Sequence, residues 1–112
     1  MSAPSAAPFP TQLRARPGTI RLGAHDVPTI TIRVEMPEVW DTVRIQVPPT
    51  DTVVAVKKRA LEALFPRAEY HEDFVIKLGG WEVLNEHETL AAAGVPDGAI
   101  FLIMHRRRQP LR

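Results

Sequence analysis

Four histidines, two serines, a glycine pair and thirteen carboxylates are the side chains from which any chemistry of this chain would have to be built. His25, His71, His87 and His105 are scattered, and no two stand at the spacing that sets two imidazoles on one helix face for a metal. His71 lies in Glu69-Tyr70-His71-Glu72-Asp73, an acidic stretch that reads as a solvated surface loop before it reads as a cation site. Serine occurs only at Ser2 and Ser5, so a serine nucleophile inside a folded domain is excluded. Cysteine is absent, which removes disulfides, thiolate metal sites and a thiol nucleophile. Gly79-Gly80 lacks the surroundings of a phosphate-binding loop and reads as a turn. The acids show no pair set across a cleft. This inventory describes a protein that is no enzyme and calls for no cofactor and no metal.

Binding is the alternative, and the bulk numbers narrow it. With 14 Lys+Arg against 13 Asp+Glu the net charge is +1, too little for sequence-independent attraction to nucleic acid. No apolar run approaches the roughly 20 residues that cross a bilayer. The first residues lack the basic-then-apolar order of a secretory signal. A cytoplasmic protein with protein partners and no membrane partner is the expectation.

A small number of elements must position whatever surface binds. Four of the eleven prolines fall at Pro4, Pro8, Pro10 and Pro17, in a stretch with neither helical nor strand periodicity. Residues 1–28 read as an extended, flexible arm, a solvated linker or, alternatively, a partner-docking arm with Phe9, Leu13, Ile20 and Leu22 as its apolar anchors. From Thr29 the pattern is regular. Ile30, Ile32 and Val34 alternate with Thr31, Arg33 and Glu35, and Val43, Ile45 and Val47 alternate with Thr42, Arg44 and Gln46. Two half-buried strands follow, joined as a hairpin through Pro37 to Trp40 and stopped by Pro48-Pro49. Thr52 is an N-cap for a helix over about residues 52–64, with Val53, Val56, Ala60, Leu61 and Leu64 on one side and Pro66 beyond its end. Phe74, Ile76 and Leu78 mark a third strand, Val83-Leu84 a short fourth, and Ala99 to Met104 a last one; Thr89 to Ala93 allows one helical turn. This order gives an α+β domain over residues 29–106, a sheet of four to five strands packed on one helix, with 107–112 as a basic tail.

In this order the residues resemble ubiquitin and its relatives. Pro49-Thr50-Asp51-Thr52-Val53 with Val56-Lys57 is similar to that family's strand-to-helix junction. Leu84-Asn85-Glu86, Thr89-Leu90, Gly94-Val95 and Asp97-Gly98 follow its spacing, and the chain leaves the last strand through Arg106, Arg107 and Arg108. The resemblance covers residues 29–108 and implies a mixed β-grasp sheet. It implies that Lys57, in the middle of the helix's apolar arc, meets Glu86 in a partly buried pair. It also implies that Phe101 and Ile103 face the core while Ile100, Leu102 and Met104 face outward.

The family is commonly recognised on that outer face. The matching residues here are Val39 or Trp40 in the first turn, Lys77 on the third strand, and Leu102 and Met104 on the last. Two tryptophans, Trp40 and Trp81, are alternatively a cover for this stripe, as is the arm. Modifiers of the family end in an arginine-bearing tail with two glycines, taken up by E1/E2-type activating and conjugating enzymes. In the tail Arg106, Arg107, Arg108, Gln109, Pro110, Leu111 and Arg112, the glycine positions hold Gln109 and Pro110, and no glycine follows Gly98. Eleven arginines against three lysines suit a GC-rich bacterial genome. The resemblance thus implies a bacterial modifier of unusual terminus or, alternatively, a non-conjugated adaptor or subunit of a larger assembly such as a secretion system.

Overall fold

The computed structural model describes residues 19–23 and 26–106. The strands are β1 (Ile20–Arg21), β2 (Ile30–Met36), β3 (Asp41–Val47), β4 (Phe74–Leu78), β5 (Trp81–Glu82) and β6 (Ile100–His105), with one helix, α1 (Val53–Leu64). They form a single mixed sheet in the order β1-β3-β2-β6-β4-β5. β2 and β3 are an antiparallel hairpin, β2 and β6 run parallel at the centre, and β4 pairs antiparallel with both β6 and β5.

Alternation decides which side chains enter the core. On β2 and β3, Ile32, Val34, Met36, Val43, Ile45 and Val47 are buried, and the polar residues between them face out. Phe74 and Ile76 on β4 and Phe101 and Ile103 on β6 complete the inner face. α1 closes it with Val53, Val56, Ala60, Leu61 and Leu64. Thr52 caps that helix: its Oγ1 accepts from the Ala55 N–H at 3.2 Å, satisfying one of the amides that a helix start leaves unpaired. Leu90 and Val95 seal the far side from the loop, and Thr89 to Ala93 form a turn held by the Thr89 hydroxyl and carbonyl rather than a helix.

Two strand assignments from the sequence need correction. The sheet has six strands, not four to five, because Ile20–Arg21, inside the stretch read as an arm, pairs with β3. Two residues are too few for period-2 alternation to register. The short strand after Gly79-Gly80 is Trp81–Glu82, not Val83-Leu84. The left-handed glycines at φ 61° and 87° reverse the chain within two residues, so pairing resumes at once: Trp81 lies opposite Leu78 and Glu82 opposite Lys77.

Candidate functional site: the outer sheet face

The side of the sheet away from α1 carries the residues that no core absorbs. Strand register sorts them into rows. Leu102 stands between Glu35 on β2 and Lys77 on β4; Met104 is opposite Val75; Ile100 is opposite Arg33. Ile100 is 45% exposed, while Leu102, Met104, Val75 and Lys77 are half-buried. The result is an aliphatic stripe along β6, widened by Val75, on a face where polar residues are the rule. Val75 is absent from the sequence-level set. Its outward alternation between Phe74 and Ile76 was readable, but its place beside Met104 depends on the antiparallel register of β4 and β6.

The first hairpin turn separates its two candidates. Val39 packs against the core. Trp40 is 86% exposed and sits at φ 56°, ψ 42°, the one described non-glycine residue in the left-handed region. A bulky residue there is costly. The turn enforces it: Pro37–Val39 is a single 3-10 turn, and the Trp40 N–H donates to the Pro37 carbonyl at 3.0 Å. Trp40 shares a shallow hollow with Glu35, Pro37, Asp41 and Thr42, and Glu35 and Thr42 are outer-face register partners. It therefore borders the face next to the Leu102 row. With Trp81 also 80% exposed, neither tryptophan lies down as a cover over the stripe. The arm anchors Phe9 and Leu13 are outside the described residues.

Charge frames the stripe. Arg33 and Arg44 are directly opposite each other on β2 and β3, both exposed; like charges facing across a ladder repel, and Glu35, 3.7 Å from Arg33, offsets only one of them. At the other end, the root of the tail is fixed. The His105 N–H donates to Glu38 Oε1 at 3.0 Å. The Arg106 N–H donates to the Asp73 carbonyl at 2.7 Å, its Nε donates to the Glu72 carbonyl at 3.1 Å, and its guanidinium lies 3.6 Å from Glu82. Arg107, Arg108, Gln109, Pro110, Leu111 and Arg112 lie outside the described residues.

On the helix side, Lys57 is 1% exposed, and its Nζ donates to both Glu86 oxygens, at 3.0 and 2.9 Å. His71 stands beside this pair, Nδ1 3.8 Å from Glu86 Oε1 and Nε2 3.3 Å from Glu72. Among the described residues, no three His, Asp or Glu are grouped to hold a metal, and no helix is long and apolar enough to cross a membrane.

No protein-family model and no curated protein matches the chain. Solved structures do. The ubiquitin-like domain of an Arabidopsis thaliana protein superposes with a TM-score of 0.60 at 14% identity, covering 80% of this chain and 90% of that one. This chain has the ubiquitin-like β-grasp fold. Ubiquitin from Caldiarchaeum subterraneum superposes with a TM-score of 0.60 at 20% identity, over 73% of this chain and 99% of its own. The N-terminal ubiquitin-like domain of the 4931431F19Rik protein gives 0.59 at 16%, over 88% and 98%. These likenesses extend to the fold, and the role of the outer face has to be argued from its own residues.

Proposed function

We propose that this ubiquitin-like chain works by binding other proteins through the outer sheet face, and that it is a bacterial modifier handled by activating and conjugating enzymes. The observation that carries the binding reading is the stripe of Ile100, Leu102, Met104 and Val75, which no other described element covers, with Trp40 projecting at its border. Water-facing sheet normally hides such groups, and an exposed tryptophan on a stiff turn is a suitable anchor because little freedom is lost when it is buried. Arg33 and Arg44, which repel one another alone, favour a partner that brings carboxylates to the β2–β3 flank. The modifier reading is supported by β6 running directly into the fixed root at Arg106 and the arginines beyond it.

The test is adduct formation with candidate activating and conjugating enzymes and ATP. Deleting Gln109–Arg112 is expected to abolish it; adducts that persist unchanged overturn the modifier reading. Gln109 and Pro110, in place of the family's glycines, favour a second reading: a non-conjugated adaptor or assembly subunit. Here the same deletion leaves partner binding intact, whereas Leu102→Asp with Met104→Asp removes it. Binding that survives the double substitution refutes the outer face as the contact in either reading.

A further inference from the structure

Beside the Lys57–Glu86 pair one buried polar atom is left without a partner. The Nδ1 of His71 makes no hydrogen bond, although buried polar groups normally find one. It faces Glu86 Oε1 at 3.8 Å, while Nε2, on the far side of the ring, lies 3.3 Å from Glu72 Oε2. A neutral imidazole carries a single N–H. Whichever nitrogen holds it, the other turns a lone pair toward a carboxylate. Only the imidazolium offers an N–H to both acids, and it completes an unbroken chain, Lys57–Glu86–His71–Glu72.

A proton there also balances charge. Lys57 balances Glu86 and leaves Glu72 uncompensated within the chain of four; the imidazolium removes that deficit. Of the flanking groups, Lys58 and Glu69 border the same shallow hollow as the ring and offset one another. Glu62, also on that hollow, is held by Arg59 at 2.9 Å. Asp73 adds a carboxylate from the same 3-10 turn, His71–Asp73. Arg106 is the opposing cation, and its guanidinium lies toward Glu82 at 3.6 Å. That turn also holds the root of the tail: the Asp73 carbonyl accepts from the Arg106 N–H at 2.7 Å, and the Glu72 carbonyl from its Nε at 3.1 Å. Whatever ties the turn to Glu86 therefore steadies the root.

We infer that His71 is a proton-operated latch: with the proton bound it ties the His71–Asp73 turn to Glu86 and holds the root at Arg106, and on losing the proton it lets both loosen. Histidine is the side chain suited to such a switch near neutral pH. The sign follows from the geometry. The added tie exists only with the imidazolium, so it is present on the acid side of the ring's titration, while Glu72 and Glu86 stay ionised, and is lost as pH rises through it. The test is nuclear magnetic resonance on the full isotope-labelled chain between about pH 5.5 and about pH 8. Ring-carbon shifts follow each histidine separately, and amide exchange at Arg106, divided by its intrinsic rate at each pH, reports the root. Protection of the Arg106 N–H is expected to be at least about threefold higher at the acid end, with a midpoint matching the ring of His71. His71→Gln is expected to flatten that dependence, and Glu72→Gln, which spares the Lys57–Glu86 pair, to reduce it. A His71 ring that does not titrate in this window, protection that stays level while it titrates, or a midpoint that follows His105 instead overturns the inference. So does a dependence that survives His71→Gln or is undiminished in Glu72→Gln.

Discussion

Lys57 shows how a single charge is carried inside this small core. Its ammonium is buried and held by both oxygens of Glu86. Breaking such a pair leaves one uncompensated charge and costs about 3–5 kcal/mol, whereas replacing it with apolar volume is often neutral. Glu86→Ala strands a fully buried ammonium and is expected to destabilise by about 3 kcal/mol or more in urea unfolding; Lys57→Met is expected to cost less, because it fills the buried volume and the carboxylate it leaves is partly exposed, and the double replacement least of all. Trp40 behaves oppositely. Its side chain is exposed and its backbone left-handed, so Trp40→Gly removes a conformational penalty of about 1 kcal/mol and offsets it with the chain entropy of glycine. Unchanged stability within about 1 kcal/mol, together with at least tenfold weaker partner binding, is the expected outcome; a large loss of stability would mean that the indole packs in the fold. The pairing of Lys57 and Glu86 was open to the sequence only through the resemblance, since residues 29 apart meet by tertiary folding. The strained geometry at Trp40 was not open to it, because it arises from the 3-10 turn that follows Met36.

At the scale of elements, the helix start and the β1 rim can each be weakened without touching the core. Thr52→Ala removes the cap on Ala55 and is expected to cost about 1 kcal/mol, read as a lower urea midpoint at constant slope. Gly23→Ala forces a left-handed alanine against the Pro48 ring. It is expected to speed exchange of the Leu22 amide while amides of β2 and β6 keep their protection. What the sequence made legible follows from periodicity. β2, β3 and β4 alternate over five or seven residues, β6 is a strand-length apolar run, and α1 carries a cap, an apolar arc and a following proline. β1 and β5 are two residues each; their positions are set by what they pair with, which no local pattern encodes.

The whole molecule has one core and two very different faces. α1 covers the inner side of the sheet, and nothing among the described residues covers Ile100, Leu102 and Met104 in the same way. Leu102→Asp with Met104→Asp adds charge to half-buried outer positions rather than to the core. The cooperative unfolding transition is expected to survive, while complexes with partners are lost. A collapse of the fold would place the stripe in the structural core instead. Sequence alternation alone had no means to choose which side of the apolar run Ala99 to Met104 was internal; the fold resemblance supplied that, and the buried Phe101 and Ile103 agree with it.

The parallel pairing of β2 and β6 has a mechanical meaning. The start of β2 and the end of β6 lie at opposite ends of adjacent strands. Traction between the chain entering at Ile30 and the chain leaving at Arg106 therefore loads their ladder in shear, engaging its bonds together rather than peeling them in turn. A tug from the C-terminal side meets the ties of Arg106 to Asp73 and Glu72 and then the Glu38 carboxylate on His105, two residues from Trp40. Pulling on the tail and gripping the indole are thus linked through one short turn.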